Sequence, residues 1–308
     1  MMGEIAKFPG FTRVDSRVRD QINAETAKYL PYSDFNHTNI LSWNLTDTAR
    51  ASMLNGNVVL CLPDYIDGTE FYSFLGDNKV EHTARTLLDT AEEQTSARVL
   101  RLVPEVGASA LRESGGFAVA EDLDGHDYVI SLPELVANEG SSYRHMRHEI
   151  NYFSKRYAPF TTYRQLDITD AKVQDRVTEV FLGREQIKSD GYHANNADSE
   201  LLALGRLFDQ ADLSAIDTYG LEIDGELKAF LISEKTDSDW VTGHFWKADT
   251  QYRGIYHYLM NRISKQLVDE GCIKLNIEQD LGLAGLRRMK MYFNPSERLR
   301  KYTVTDNC

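Results

Sequence analysis

Apolar residues recur at every fourth position at Ile255, Leu259, Ile263 and Leu267, the spacing that lines one face of an α-helix. Gly271 stands where that helix should end, because glycine accepts the left-handed backbone that closes a helix. Upstream, Asp224-Gly225 is a two-residue hairpin signal between strands at residues 221–223 and 226–233. Residues 240–247 read as the next strand. Downstream, Ile273, Leu275 and Ile277 alternate with Lys274, Asn276 and Glu278, the period of a half-buried strand. Residues 281–291 then read as a helix stopped before Pro295, and a last strand fits residues 302–304.

The first half repeats this order. Strands are expected at residues 58–62 and 71–75, around a turn holding Asp67-Gly68, then a helix at 79–93 and a strand at 98–103. A short helix at 106–113 is closed by Gly115-Gly116, and residues 117–120 and 128–132 read as a closing hairpin. Strand–strand–helix–strand–helix–strand thus occurs twice, without sequence identity between the copies. A helix at 143–157 would join them and one at 171–182 would open the second. Regular βαβαβ alternation is not what this describes, and neither GxGxxG nor a P-loop is present. The order is similar to that of the GCN5-related N-acyltransferase (GNAT) fold. The expected class is α/β with mixed (α+β) sheets: two tandem GNAT-like domains, residues 1–157 and 158–308, with a cleft between them.

Composition narrows the setting. Of 308 residues, 42% are apolar and 26% charged, values of a soluble globular chain. The apolar run at 58–62 is far shorter than the roughly 20 residues of a membrane-spanning helix. The opening MMGEIAKFPGFTRV has no apolar h-region, so a soluble, cytoplasmic protein without a membrane span is expected. The net charge of -13 repels phosphate backbones, which disfavours broad nucleic-acid binding and DNA in particular. Two basic runs remain candidates for holding one RNA end or are solvated faces: Arg144, His145, Arg147, His148, Lys155 and Arg156, and Arg287, Arg288, Lys290, Arg298, Arg300 and Lys301. Cys61, Cys272 and Cys308 are too few and scattered for a disulfide framework or zinc site. The first two read as buried small hydrophobes and the last as exposed.

The densest polar cluster runs from Asn276 to Lys290. Asn276 and Glu278 are two apart on a strand and share a face. Asp280 stands at the turn, where it can cap the next helix. Arg287 and Lys290 are three apart and share a helix face. Two carboxylates, an amide and two cations therefore converge at a strand end, where ligands of open α/β sheets tend to bind. The competing reading is a capped helix with surface ion pairs. On the preceding strand Thr242, His244 and Trp246 should form one face, and Val241, Gly243, Phe245 and Lys247 the other. His244 is a candidate general base or a structural histidine, and Lys247 a candidate anion partner or a solvated lysine. Gln251, Arg253, Gly254 and Tyr256 occupy the place of an acyl-CoA pyrophosphate loop, where backbone N–H groups at a helix start cradle phosphate. Arg253 and Gly254 fit, whereas Tyr256 replaces a small residue and crowds the cradle. In the first half the same place holds Gly76, Asp77, Asn78 and Lys79, with an anion in the loop. HExxH, GxSxG and paired CxxC motifs are absent from the sequence, and His145 with His148 is the one weak metal hint; no metal is expected.

The stretch N-x-E-Q-D-L-G-x-x-G-L-R-x-x-K from Asn276 to Lys290, followed by Tyr292 and Pro295, resembles the family typified by the C-terminal domain of phosphatidylglycerol lysyltransferase. Residues 30–36 with Asn39, Trp43 and Asn44, the basic helix at 143–157, and His244 to Asp249 with Gly254 are similar to further blocks of that family. The resemblance implies a tandem GNAT fold and transfer of an aminoacyl group from aminoacyl-tRNA to an amine or hydroxyl. It implies Glu278, Asp280 and His244 as catalytic candidates. Asn276, Arg287, Lys290, Lys247 and Tyr292 become substrate-binding candidates, with Arg253 and Gly254 the only cofactor-loop positions. Without a membrane span, a soluble small-molecule or peptide amine is the expected acceptor. An aminoacyl ester is already activated, so no cofactor is needed; the enzyme positions the acceptor, removes its proton and stabilises the oxyanion. Acyl-CoA-dependent N-acylation, with acyl-CoA as co-substrate, and a non-catalytic binding protein on the same scaffold are the alternatives. The amino acid, the acceptor and the oligomeric state are not legible.

Overall fold

The structure, a computed structural model, describes residues 3–187, 194–213, 215–237 and 239–307. In chain order the first elements are β1 (Thr12–Arg13), α1 (Arg19–Thr26), α2 (His37–Ser42), β2 (Arg50–Leu54), β3 (Asn57–Pro63), β4 (Glu70–Leu75), α3 (Val80–Thr95), β5 (Leu100–Pro104), α4 (Glu105–Ser114), β6 (Phe117–Glu121) and β7 (Asp127–Ser131). They are followed by α5 (Leu132–Ala137), α6 (Arg144–Arg156), β8 (Thr161–Leu166), α7 (Ala171–Ile187), α8 (Ala194–Asp209), β9 (Ile216–Ile223), β10 (Glu226–Lys235) and β11 (Trp240–Ala248). The chain ends with α9 (Ile255–Asp269), β12 (Lys274–Asn276), α10 (Ala284–Met291), β13 (Glu297–Leu299) and β14 (Lys301–Asp306).

These elements form two compact units: residues 1–127 with 279–282 and 298–308, and residues 128–278 with 283–297. The division at 157/158 expected from sequence therefore falls inside the second unit. Each unit holds a mixed sheet of the same pattern. The first runs β1-β2-β3-β4-β5-β14-β6 and the second β13-β7-β12-β11-β10-β9-β8. In each, four antiparallel strands are followed by one parallel strand, β5 beside β4 and β12 beside β11. The expected α/β class with two mixed sheets is what the chain adopts.

One expectation fails. Residues 117–120 and 128–132 do not close a hairpin. β6 pairs with β14, Tyr302 opposite Glu121, and β7 pairs with β12, Ile130 opposite Leu275. The connection between β6 and β7 lacks a two-residue turn that would fix a local register, so each strand is free to take a distant partner. Both sheets thereby include a strand from the other half of the sequence.

The local readings hold where periodicity was strongest. Ile255, Leu259, Ile263 and Leu267 are all buried and pack against Tyr219, Leu231 and other sheet residues of the second unit. Gly271 ends that stretch at φ +91°, and Asp224 and Gly225 both take positive φ, the primed turn that hairpin twist favours. The first unit's core joins Val59, Tyr72 and Phe74 of its sheet to Leu87 and Leu88 of α3. Cys61 and Cys272 are buried, and Cys308 lies outside the described residues.

Candidate active site

The second unit's sheet carries the polar cluster because of one extra residue. In β10 and β11, Ile232 faces Phe245 and Ser233 faces Gly243. His244 between them has no partner, so it is the added residue of a β-bulge, a device that re-aims side chains. The bulge also shifts the alternation. Val241 and Trp246, expected on opposite faces, both pack on the core beneath α9. Glu234 lies opposite Thr242, and Thr242 opposite Asn276. Residues directly opposite share a face, so these three line one side of the sheet.

His244 is enclosed there, its side chain only 1% exposed. Its Nδ1 lies 3.1 Å from Glu278 Oε1 and its Nε2 3.4 Å from Glu234 Oε2. Burial by itself pushes the imidazole pKa down, but hydrogen bonds and charge from the two carboxylates outweigh it and hold the group at about 9. The ring is therefore an imidazolium at neutral pH that donates on both sides. Glu278 meets it from a strained backbone. Its φ is +60°, a region that costs a non-glycine residue about 1–3 kcal/mol. That conformation is fixed by the Glu278 N–H donating to Asn276 Oδ1 at 2.7 Å and by the Glu278 carbonyl accepting from the Tyr128 N–H at 3.1 Å. It also ends the strand at Asn276, short of the alternation that runs on to Glu278.

The other sequence candidates have separate places. Asp280 is fully buried and its Oδ1 accepts the Gly282 N–H at 2.9 Å. It does not cap α10, whose N-cap is Leu283, because Leu281 and Gly282 at φ +53° and +74° insert a left-handed turn first. Lys290 is buried, and its Nζ donates to the Ile277 carbonyl and sits 5.8 Å from the Tyr128 ring centroid. Arg287, three residues earlier, is exposed. Lys247 lies opposite Phe230, on the same side of the sheet as Glu234, where its Nζ pairs with Glu200 of α8 at 2.7 Å and lies over the Phe181 ring of α7.

A cavity of about 390 Å³ opens at the start of α9, bordered by α6 and α10 and lined by His145, Tyr256, His257, Arg288 and Tyr292 among others. Tyr292 tilts against His145 at 5.0 Å between ring centroids. Burial pushes His257 down to about 4, so its ring is neutral. At this helix start α6 engages Arg253 and presses on Gly254, while Arg253, Gly254 and Tyr256 also line the cavity. Arg253 forms a two-pronged pair with Glu149 at 2.7 and 3.1 Å. Gly254 has φ +86°, and a Cβ there would lie 2.3 Å from the Glu149 carbonyl oxygen. The Tyr256 hydroxyl accepts the Ala248 N–H at 3.1 Å. Among the described residues no group of three or more His, Cys, Asp or Glu side chains is placed to hold a metal ion.

Sequence reasoning missed Glu234, Glu200 and Glu149, the carboxylates that occupy His244, Lys247 and Arg253. It also missed a fully buried ionic group in the first unit. Lys301 Nζ pairs with Asp34 and, at 2.7 Å, with Asp127 Oδ1, and donates to Gln279 Oε1 at 2.7 Å and Ser33 Oγ at 3.2 Å. Asp127 accepts the Ser33 N–H and hydroxyl, and Asp34 accepts the Tyr65 hydroxyl. Burial raises Asp34 despite the Lys301 charge, and the two carboxylates raise Lys301 despite its burial.

A family model described as phosphatidylglycerol lysyltransferase, C-terminal, matches residues 28–305. Among solved structures, a conserved protein of unknown function from Bacteroides thetaiotaomicron is similar at 21% identity and a TM-score of 0.80, covering 96% of this chain and 99% of that one. The L-PGS of Bacillus licheniformis is similar at 13% identity and a TM-score of 0.58, covering 99% of this chain and 94% of that one. At such identities the likeness speaks for the fold. No curated protein matches.

Proposed function

From the premise that this chain belongs to the phosphatidylglycerol lysyltransferase C-terminal family, we propose that it is an acyltransferase that moves an aminoacyl group from aminoacyl-tRNA to an amine or hydroxyl of a soluble acceptor. The observation that supports the choice of donor is that the loop residues at the start of α9 are engaged within the protein. Acyl-CoA presents a pyrophosphate that needs open N–H groups and a small-residue approach at a helix start. Here Arg253 is bound by Glu149, Gly254 is packed against the Glu149 carbonyl and Tyr256 is bonded to Ala248. An aminoacyl ester makes no such demand near its reactive carbon. The net charge of -13 favours a cationic amine acceptor over an anionic lipid surface.

In this reading Glu278 removes the acceptor's proton as the nitrogen or oxygen attacks the ester carbonyl. His244, already protonated, holds that carboxylate in place and is not itself the resting base. Asn276 fixes the left-handed backbone of Glu278. Lys290 anchors the end of β12 through the Ile277 carbonyl, and Asp280 shapes the turn that follows. Arg287, exposed on α10, and Tyr292, which borders the cavity at the start of α9, are assigned to substrate binding. Lys247 is held by Glu200 and orders α8 against the sheet.

The test is donor use. Purified protein is mixed with labelled total aminoacyl-tRNA and a small-molecule extract, with and without RNase, beside labelled acetyl-CoA. RNase-sensitive label in a new product is the expected result, and Glu278→Gln should lower it by about 10²-fold or more. Label from acetyl-CoA alone would overturn the donor assignment. Turnover unchanged in Glu278→Gln would overturn the base.

A further inference from the structure

Two carboxylates and one imidazolium leave the Glu234–His244–Glu278 group with one net negative charge. The three side chains are only 11%, 1% and 14% exposed, so that charge sits largely out of water. The two carboxylates are the charged groups that act on the ring, Glu234 from β10 and Glu278 from the loop after β12. One added proton cancels the negative charge and can be stored in two ways. A protonated Glu278 can stand beside a surviving imidazolium–carboxylate pair. Alternatively the Nε2 proton moves to Glu234 and all three groups become neutral. Burial penalises every charge that remains, which favours the second arrangement. Thr242, directly opposite Glu234, has a buried hydroxyl with no hydrogen-bond partner among the described residues.

We propose that Glu234 is the distal proton acceptor of a relay that runs from Glu278 through His244. The inference rests on the transferase reading of the same site. As the acceptor's nitrogen or oxygen bonds to the ester carbon, its proton passes to the Glu278 carboxylate and the His244 Nε2 proton passes to Glu234. His244 is then neutral and still donates from Nδ1 to Glu278. When the ester C–O bond breaks, Glu234 returns its proton to Nε2 and Glu278 gives its proton to the departing ribose oxygen. The acceptor has lost one proton, the leaving alcohol has gained it, and the three side chains are back in their resting state. Glu234 touches no substrate and acts only through His244.

The test combines turnover with ring titration in Glu234→Gln and Glu234→Asp. Glutamine keeps the shape and still accepts from Nε2, but does not take the proton. Glu234→Gln should lower kcat by about 10²-fold with KM within about twofold, and should lower the pH at which the His244 ring titrates in ¹⁵N NMR. Glu234→Asp should recover most of the rate. Wild-type kcat with an unchanged pH profile in Glu234→Gln overturns the relay. So does an equal loss in both variants with unmoved His244 titration, which is the signature of a structural role. Absence of turnover with either donor overturns the relay and the transferase reading together. A ring titration indifferent to Glu234, in a protein that does transfer aminoacyl groups, overturns the relay alone.

Discussion

Replacing Lys301 by Met removes the cation from a site where it and both partners, Asp34 and Asp127, have no exposed surface. Methionine fills much of the same volume, so the loss is electrostatic rather than a cavity. Lys301 supplies two ion pairs and hydrogen bonds to Gln279 and Ser33. Without it the two buried carboxylates lose the cation that faces them both. Breaking a buried pair from one side costs about 3–5 kcal/mol, because the orphaned charge keeps its desolvation penalty. The pH dependence has a definite sign. Burial already raises Asp34 above its unfolded value, and removing the cation raises it further. A carboxyl whose folded pKa lies above the unfolded one binds more protons folded than unfolded, so stability falls as pH rises past the unfolded value near 3.9. Urea unfolding of Lys301→Met should therefore show the full deficit at pH 7 and a smaller one near pH 4, relative to wild type at the same pH. Adding Asp34→Asn and Asp127→Asn to Lys301→Met should recover much of the loss at pH 7. A deficit below about 1 kcal/mol, or one equal at both pH values, would refute the argument that the group is held by charge balance.

Three further outcomes follow from the second unit and the cysteines. His244 is raised from 6.5 to about 9, so its contribution is complete below pH 6.5 and is lost as pH rises through 9. Unfolding by urea across that range should show a decline of up to about 3 kcal/mol that His244→Asn removes, and a flat profile would contradict the imidazolium assignment. Gly254→Ala should cost at least about 2 kcal/mol, since it combines a positive φ with a backbone oxygen in the way; a melting point within error of wild type would mean α6 does not pack against Gly254. Burial pushes the Cys61 thiol up to about 12 and raises Cys272 as well. In a Cys308→Ser background neither should react with a thiol reagent until denaturant is added, and fast labelling of the folded protein would show that one of them is accessible.

Much of the fold was legible because it is written in local periods. The four-residue stripe of α9, the Asp224-Gly225 turn and the alternation leading into β12 each need only neighbours in sequence. The parts that were not legible depend on partners chosen at a distance. A bulge adds one residue and leaves no compositional trace, so His244 and Lys247 were assigned to faces by an alternation that breaks at His244 itself. Glu234 is ten residues from His244 and Glu278 thirty-four, joined only once the bulge aims the ring. Lys301 bonds Asp127 and Ser33 across separations of 174 and 268 residues, and in sequence it looked like one more cation of a basic run. Glu278 is the instructive intermediate. Its place at a strand end was readable, but its left-handed backbone depends on the Asn276 side chain and the Tyr128 N–H, and no propensity for glutamate indicates it.

The two loops expected to cradle phosphate make the strongest joint argument about chemistry. In the first unit Gly76 takes φ +151°, and the position of its absent Cβ lies 2.1 Å from Asn57 Oδ1. That oxygen accepts the Asn78 N–H at 3.1 Å, so an amide side chain takes a backbone donor at the start of α3. In the second unit the carbonyl of Glu149 lies against Gly254 at the start of α9, and its carboxylate takes Arg253. Sequence suggested other obstacles, the charge of Asp77 and the bulk of Tyr256. Each unit thus engages its own loop from within, one by a side chain and the other by a helix, while the second retains the buried carboxylate–imidazolium–carboxylate group. An enzyme that binds a pyrophosphate-bearing thioester loses its donor when that loop is filled. One that receives an already activated ester, as proposed here, needs proton transfer instead, and the proposed group for it is the buried one around His244.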